Sequence, residues 1–187
     1  LTTGTGGGFP TSGFESITFK VNVSGTNIPR ALVCSGGRSN FANCTFDIDV
    51  ANGYLTAIAI TGGINNFIDC AFLYTQTGTS GGACTFIHAT STGVFNIDGG
   101  YCLVNMNGTD SADYCLFILD EATSTEINIV KGIQAEIRGA TGFDGHIGFW
   151  KLTGPTVDNY CQHCHIDIRV TTPGLNSTEY AYDVDSG

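Results

Sequence analysis

The chain has 187 residues, enough for one domain with a real core. Seven basic side chains stand against 17 acidic ones, and a net charge of −10 repels a phosphate backbone and argues against nucleic acid as a partner. Only 13% of residues are charged and Gly numbers 26, a balance that disfavours a helical protein and suits strands joined by many turns; no stretch approaches the roughly 18 consecutive apolar residues of a membrane-spanning helix.

In chain order, LTTGTGGGFPTSG (1–13) reads as a flexible Gly/Thr-rich arm that opens no helix, so its glycines do not form a phosphate-cradling loop. It starts at Leu1 without a signal-like segment, as a processed or excised form would. Residues 14–187 then read as a single domain. ITFKVNV and RALVCSGG look like an imperfect first row of a repeat. Five clearer rows start at Asn: NFANCTFDIDV from Asn40, NFIDCAFLYTQ from Asn66, NIDGGYCLVNM from Asn96, NIVKGIQAEIR from Asn128 and NYCQHCHIDIR from Asn159. Their starts are 26, 30, 32 and 31 residues apart. After a turn, each row delivers a second apolar segment: LTAIAITGG, ACTFIHATSTG, YCLFILDEATST, HIGFWKLTG and EYAYDVDSG.

Within a row the apolar residues alternate with period two, the signature of a strand with one buried face. Aligned on the first segment, one inward column reads Cys44, Cys70, Cys102, Ala135, Cys164, and the next reads Phe46, Phe72, Val104, Ile137, Ile166. The second segment supplies Ile58, Phe86, Phe117 and Phe149. Like residues over like at a spacing of about 30 predict a β-solenoid, whose rungs bury their inner faces only because neighbours cover them.

With these columns the chain resembles the right-handed parallel β-helix family of the pectate-lyase and phage-tailspike type, over roughly residues 14 to 185. The resemblance implies an all-β, single-stranded right-handed parallel β-helix of about five to six rungs. It also implies that Asn40, Asn66, Asn96, Asn128 and Asn159 stack as an asparagine ladder at a turn. A β-sandwich or jelly roll is the alternative architecture, because unequal row lengths also suit hairpins.

Cys161-Gln-His-Cys164-His165 matches the c-type haem attachment pattern, and Cys161, His163, Cys164 and His165 are ligand types for zinc. On a strand, however, Cys164 and His165 point to opposite faces, and four ligands crammed into five residues rarely surround one ion. No cofactor and no metal are expected, and the eight cysteines read as core thiols or disulfides. Stacked rungs lie about 4.8 Å apart, inside the Cα separation that a disulfide tolerates. Cys84 and Cys115, at matching positions in ACTFI and YCLFI, are the first candidate pair. At most one pair forms within Cys44, Cys70 and Cys102, with Cys34 taking the remainder, and Cys161 reaches Cys164.

Many proteins of the resembled type cut or bind polysaccharides, and glycoside hydrolysis needs two exposed carboxylates about 5 to 9.5 Å apart. Asp47 and Asp49 could share an outward face, as could Asp183 and Asp185; Asp47 and Asp167 share a column position at opposite ends of the stack. Arg138 and Arg169, beside Glu136 and Asp167, read as cross-strand charge pairing. His88 falls in an apolar row and reads as a core histidine, while His146 lacks partner aspartates. Turns such as DSAD (110–113) offer oxygens to calcium but follow no EF-hand or RTX-type pattern.

Without a catalytic cluster or an amphipathic capping helix, the expected role is structural: a subunit of an extracellular filament or viral fibre, assembling with copies of itself through its ends and N-terminal arm. The cysteines, with sequons at Asn22, Asn43, Asn107 and Asn176, favour an extracellular or virion-surface location. The alternative is a carbohydrate-binding or polysaccharide-degrading protein that uses surface glycans as partner, with Tyr54, Tyr101 and Trp150 as aromatic candidates.

Overall fold

The alternating segments fold as strands, and no helix occurs among the described residues. The computed structural model describes residues 2–3, 11–24, 30–51, 55–78, 83–107, 114–123, 127–141, 146–153, 159–172 and 178–184. The strands are β1 (Thr2–Thr3), β2 (Thr11–Glu15), β3 (Thr18–Val23), β4 (Leu32–Ala42), β5 (Thr45–Val50) and β6 (Leu55–Ile68). They continue as β7 (Ala71–Gln76), β8 (Ala83–Ser91), β9 (Val94–Asp98), β10 (Tyr101–Met106), β11 (Tyr114–Ala122) and β12 (Ile129–Lys131). The last are β13 (Gln134–Thr141), β14 (His146–Leu152), β15 (Tyr160–Gln162), β16 (His165–Thr172) and β17 (Thr178–Val184).

Every pairing between these strands is parallel. A flat sheet has the order β16-β13-β10-β7-β5-β3, and an 11-stranded sheet forms the other two faces, with β4 and β6 running continuously through the bend between them. One of those faces consists of short strands (β2, the ends of β4 and β6, β9, β12, β15). The other consists, apart from two-residue β1, of longer ones (the starts of β4 and β6, β8, β11, β14, β17). The chain runs from short face to tight corner, flat sheet, loop, long face, and back. This is a parallel β-helix.

About four turns are complete, fewer than the five to six rungs expected. The flat sheet does hold six strands, but among the described residues the first and last rungs have a neighbour on one side only, and Phe14, Phe19, Ile166 and Ile168 are only partly buried. Strand structure also begins before residue 14: β1 pairs with Val33–Cys34, and Thr11–Glu15 pairs with Arg38–Ala42.

The core is built from columns. Phe14, Phe41 and Phe67 stack at 5.0 Å centroid spacing on the short face, and Phe19, Phe46 and Phe72 stack at 5.0 and 5.6 Å on the flat sheet. The two columns meet edge to face, with Phe41 and Phe46 at 5.6 Å and 68°. Higher in the stack these positions shrink: Phe67 lies under Ile97 and Val130, and Phe72 lies under Cys102 and Ala135. The long face supplies the missing bulk. Phe86 and Phe117 reach Phe72 at 5.4 and 5.2 Å, Phe149 packs on Phe117 at 5.3 Å, and Trp150 packs on Phe95 at 5.6 Å. Consecutive residues Phe149 and Trp150 are both fully buried, one against each neighbouring region of the core, so strict alternation fails there.

The predicted inward residues are buried, apart from half-buried Cys164 and Ile166 in the last rung, but the register differs from the sequence alignment. The flat-sheet column runs Phe46, Phe72, Cys102, Ala135, Ile166, with Ile48, Tyr74, Val104, Ile137, Ile168 next to it. Cys102 therefore does not stack on Cys44 and Cys70, which sit one step earlier, at the corner. On the long face Ile58 pairs with Ile87 rather than Phe86.

The asparagine ladder is likewise split. Asn40, Asn66 and Asn96 are in register, and their side chains are linked: Asn66 Nδ2 donates to Asn40 Oδ1 at 2.7 Å and Asn96 Nδ2 to Asn66 Oδ1 at 3.0 Å. Asn128 and Asn159 belong to the adjacent column, since Ile129 and Tyr160 occupy the register of Asn96. There they meet buried Asp120. Its carboxylate accepts from Asn128 Nδ2 at 2.8 Å, Asn159 Nδ2 at 3.2 Å and the Ala122 amide at 3.1 Å. Burial raises the Asp120 pKa, and these three donors oppose the rise.

Candidate functional site

The corner between short face and flat sheet explains the haem-like motif. Its apex is left-handed in every rung, at Ser16, Asn43, Asp69, Gly99, Gly132 and His163, with φ between 49° and 73°. The first five apex amides donate to the next rung, as from Asn43 to Ile68 at 2.9 Å and from Gly132 to Gln162 at 3.0 Å. Cys44, Cys70 and Cys164 follow the apex with their thiols turned into the corner. Each lies within reach of two carbonyls: Ala42 and Phe14 for Cys44, Ile68 and Phe41 for Cys70, Gln162 and Val130 for Cys164, at 3.4–3.7 Å. Small thiols thus fill a tight bend and cap carbonyls there. His163 is the apex, Cys161 continues the inward column of Phe67, Ile97 and Val130, and His165 starts the outward face of β16. The Cys161 and Cys164 thiols touch, but among the described residues no third metal-ligating group joins them.

Seven cysteines have described side chains, and no disulfide joins them. Cys84 does lie opposite Cys115 in register; the Cys115 side chain is outside the described residues. Cys44, Cys70, Cys161 and Cys164 are thiols. In-register parallel strands keep neighbouring side chains parallel, so Cβ atoms stay about 4.8 Å apart, beyond the 3.5–4.5 Å that a disulfide takes. Burial pushes the Cys70 thiol up to about 11. Cys161 lies exposed on the end of the stack, yet the protein on its inner side, followed by contact with Cys164, pushes it up to about 12.

The outer faces carry the remaining chemistry. On the flat sheet, Lys20 holds Asp47 at 3.0 Å and Asp49 at 3.8 Å. Arg138 pairs with Glu136 and Arg169 with Asp167, each two residues along its own strand. The predicted cross-strand pairing is thus replaced by pairing along the strand. Register sets Arg138 beside Arg169 and Glu136 beside Asp167, so like charges neighbour like and neutralisation comes from residue i+2 on the same face. A groove of about 270 Å³ beside these pairs is lined by Tyr101, Leu103, Gln134, Glu136, His165 and Asp167. Its two carboxylates are neighbours, but the Arg169 guanidinium holds Asp167 below the usual carboxylate range, the opposite of what a general acid needs. Asp47 and Asp167 do share one outward column, four strand steps apart.

A second groove, of about 490 Å³, lies on the short face among Asn66, Asn96, Asp98, Lys131, Tyr160 and Gln162. Lys131 Nζ is 2.8 Å from Asp98 there, and Tyr160 is 44% exposed. His88 is not a core residue: it lies on the outer side of the long face, 2.8 Å from Glu121. His146 is exposed at the start of β14. Among the described residues no three His, Cys, Asp or Glu converge as metal ligands. Comparisons with protein-family models, curated proteins and solved structures found no match to this chain. What the chain does must follow from its surfaces.

Of the aromatic candidates, Trp150 is fully buried and cannot stack on a sugar, whereas Tyr101 is 44% exposed in the flat-sheet groove. Tyr160 and Asp120 escaped the sequence reading. Tyr160 directly precedes the cysteine motif that drew the reading, while an acidic residue closing the apolar run YCLFILD was the available signal for Asp120. Asn22, Asn43 and Asn107 are exposed; Asn176, Tyr54, Asp185 and the DSAD turn are outside the described residues, as is the side chain of Asp183.

Proposed function

We propose that this chain is a structural subunit of an extracellular filament or viral fibre that assembles with copies of itself through the ends of its β-helix. The observation that carries this reading is the state of those ends. Phe14, Phe19, Val21 and Val23 at one end, and Cys164, Ile166, Ile168 and Val170 at the other, continue the core columns but are only partly buried. At each end, three parallel strands have a pairing partner on one side only among the described residues. Open strand edges over an apolar column attract further strands. Exposed Asn22, Asn43 and Asn107 sequons fit an extracellular or virion surface. Sedimentation velocity across a concentration series, with negative-stain electron microscopy, tests this. Concentration-dependent growth into rods supports it, and a monomer at about 100 μM overturns it.

A second reading, glycan binding, is favoured by the short-face groove. Exposed Tyr160 offers a ring face beside amides and the Asp98–Lys131 pair, a combination that suits sugar hydroxyls. A glycan array with wild type and Tyr160→Ala tests it: hits lost in the variant support it, and an empty array refutes it.

A further inference from the structure

The two ends match each other residue by residue. Following register through the flat sheet, one outward column reads Lys20, Asp47, Leu73, Leu103, Glu136, Asp167. The inward columns start at Phe19, Val21 and Val23 and finish at Ile166, Ile168 and Val170. On the short face, Phe14 starts the column that Cys161 finishes, and Gly13 starts the one that Tyr160 finishes. We propose that copies join head to tail, β3 of one pairing in parallel register on β16 of the next, so that Asp167 meets the Lys20 of the neighbouring copy. This rests on the filament reading above and names its contact.

Four features make a second copy the occupant. Charge is complementary where the column closes, acid against lysine, whereas Asp167 and Glu136 are like neighbours within the chain. The apolar junction reuses pairings already present inside the stack. Phe72 lies directly against Cys102 and Phe67 against Ile97, so Phe19 on Ile166 and Phe14 on Cys161 need no new kind of packing. Opposite Tyr160 would come Gly13, where an added Cβ would meet nothing within 4 Å, leaving room for the tyrosine ring to cross the joint. The corner rule also continues: the five earlier apex amides donate to the following rung, which directs the His163 N–H to the neighbour's Glu15 carbonyl. The two ends of one chain are different surfaces, so the contact is heterologous and propagates as an open fibre.

Carbodiimide coupling of lysines to carboxylates, followed by peptide mass spectrometry on assembled material, tests the register. Within one copy Lys20 and Asp167 are five strand steps apart, about 24 Å, so a zero-length link between them must join two copies. Lys20–Asp47 coupling serves as the internal control, since that pair touches at 3.0 Å. The expected result is a Lys20–Asp167 link that appears only in the assembled fraction. Asp167→Lys, which also takes from Arg169 its partner, should raise the concentration needed for assembly about tenfold, and adding Lys20→Asp should restore assembly, a rescue that lost monomer stability alone would not give. Fibres that yield only the internal link, or assemble unchanged with Asp167→Lys, overturn this register and leave the filament reading standing. A wild type that never assembles overturns both.

Discussion

Replacing Phe149 by alanine tests whether the aromatic bulk that migrates from face to face holds the upper turns together. Phe149 has no exposed surface and stacks on Phe117 at 5.3 Å, in the turn where the flat sheet contributes Ala135 and Ile137 and no aromatic ring. Returning the lost ring surface to water costs about 2–3 kcal/mol. The cavity left where strands fixed by hydrogen bonds on both sides relax only partly adds about 1–2 kcal/mol. The expected loss is about 4 kcal/mol, read from urea unfolding followed by fluorescence of Trp150, the single tryptophan, itself buried. Ala135→Phe alone should overpack the turn by about 1–3 kcal/mol. Combined with Phe149→Ala, it should recover at least about 1 kcal/mol relative to the Phe149→Ala variant. A loss under about 1 kcal/mol for Phe149→Ala, or simple additivity in the pair, would refute complementary filling of the core.

Two further outcomes follow from the corner and the buried carboxylate. Gly100→Ala should be destabilised by more than about 2 kcal/mol, because φ is 83° and a Cβ would lie 2.1 Å from the Cys70 carbonyl oxygen. Gly132→Ala, with φ 67° and its nearest contact at 3.6 Å, should lose only about 1–2 kcal/mol; equal urea midpoints would contradict the corner geometry. Asp120 has its pKa raised by burial, so the folded state keeps the proton to higher pH than the unfolded chain. Its contribution to stability therefore falls as pH rises from the ordinary carboxylate range through the raised value. Asp167, depressed by Arg169, acts in the opposite sense at lower pH. Chemical denaturation at a series of pH values should show the first component vanish in Asp120→Asn; an unchanged profile would place the titration elsewhere.

The sequence made strand alternation, the repeat and the inward residues legible because burial leaves a period-two trace that survives substitution. Register was harder, for a specific reason. First segments aligned on like residues put Cys102 over Cys70, whereas the structural landmark is the left-handed apex, filled in turn by Ser16, Asn43, Asp69, Gly99, Gly132 and His163. These residues share a backbone conformation and no side chain, so no letter marks the position. Asn128 fell out of the ladder because the register shifts by one there, and the buried amide instead supports Asp120. Of the candidate surfaces, the Arg–acid pairs were visible as neighbours in sequence, but their direction of pairing was not. Only the stacking of Arg138 beside Arg169 shows why each must neutralise along its own strand. The short-face groove was invisible, since Ile68, Asp98, Lys131 and Tyr160 are scattered over four rows.

The shift of phenylalanines from two faces to the third has a consequence for how such a chain can change. Each turn has its own cross-section, with Phe41 and Phe46 opposite Ala57 in one and Val130 and Ala135 opposite Phe149 and Trp150 in another. The repeats are therefore not exchangeable bricks. Excising one, or duplicating it elsewhere in the gene, would set rings against rings on one wall and a void on the other. Lengthening this rod would be tolerated at its ends sooner than in its middle, because a new terminal turn has only one neighbour to fit.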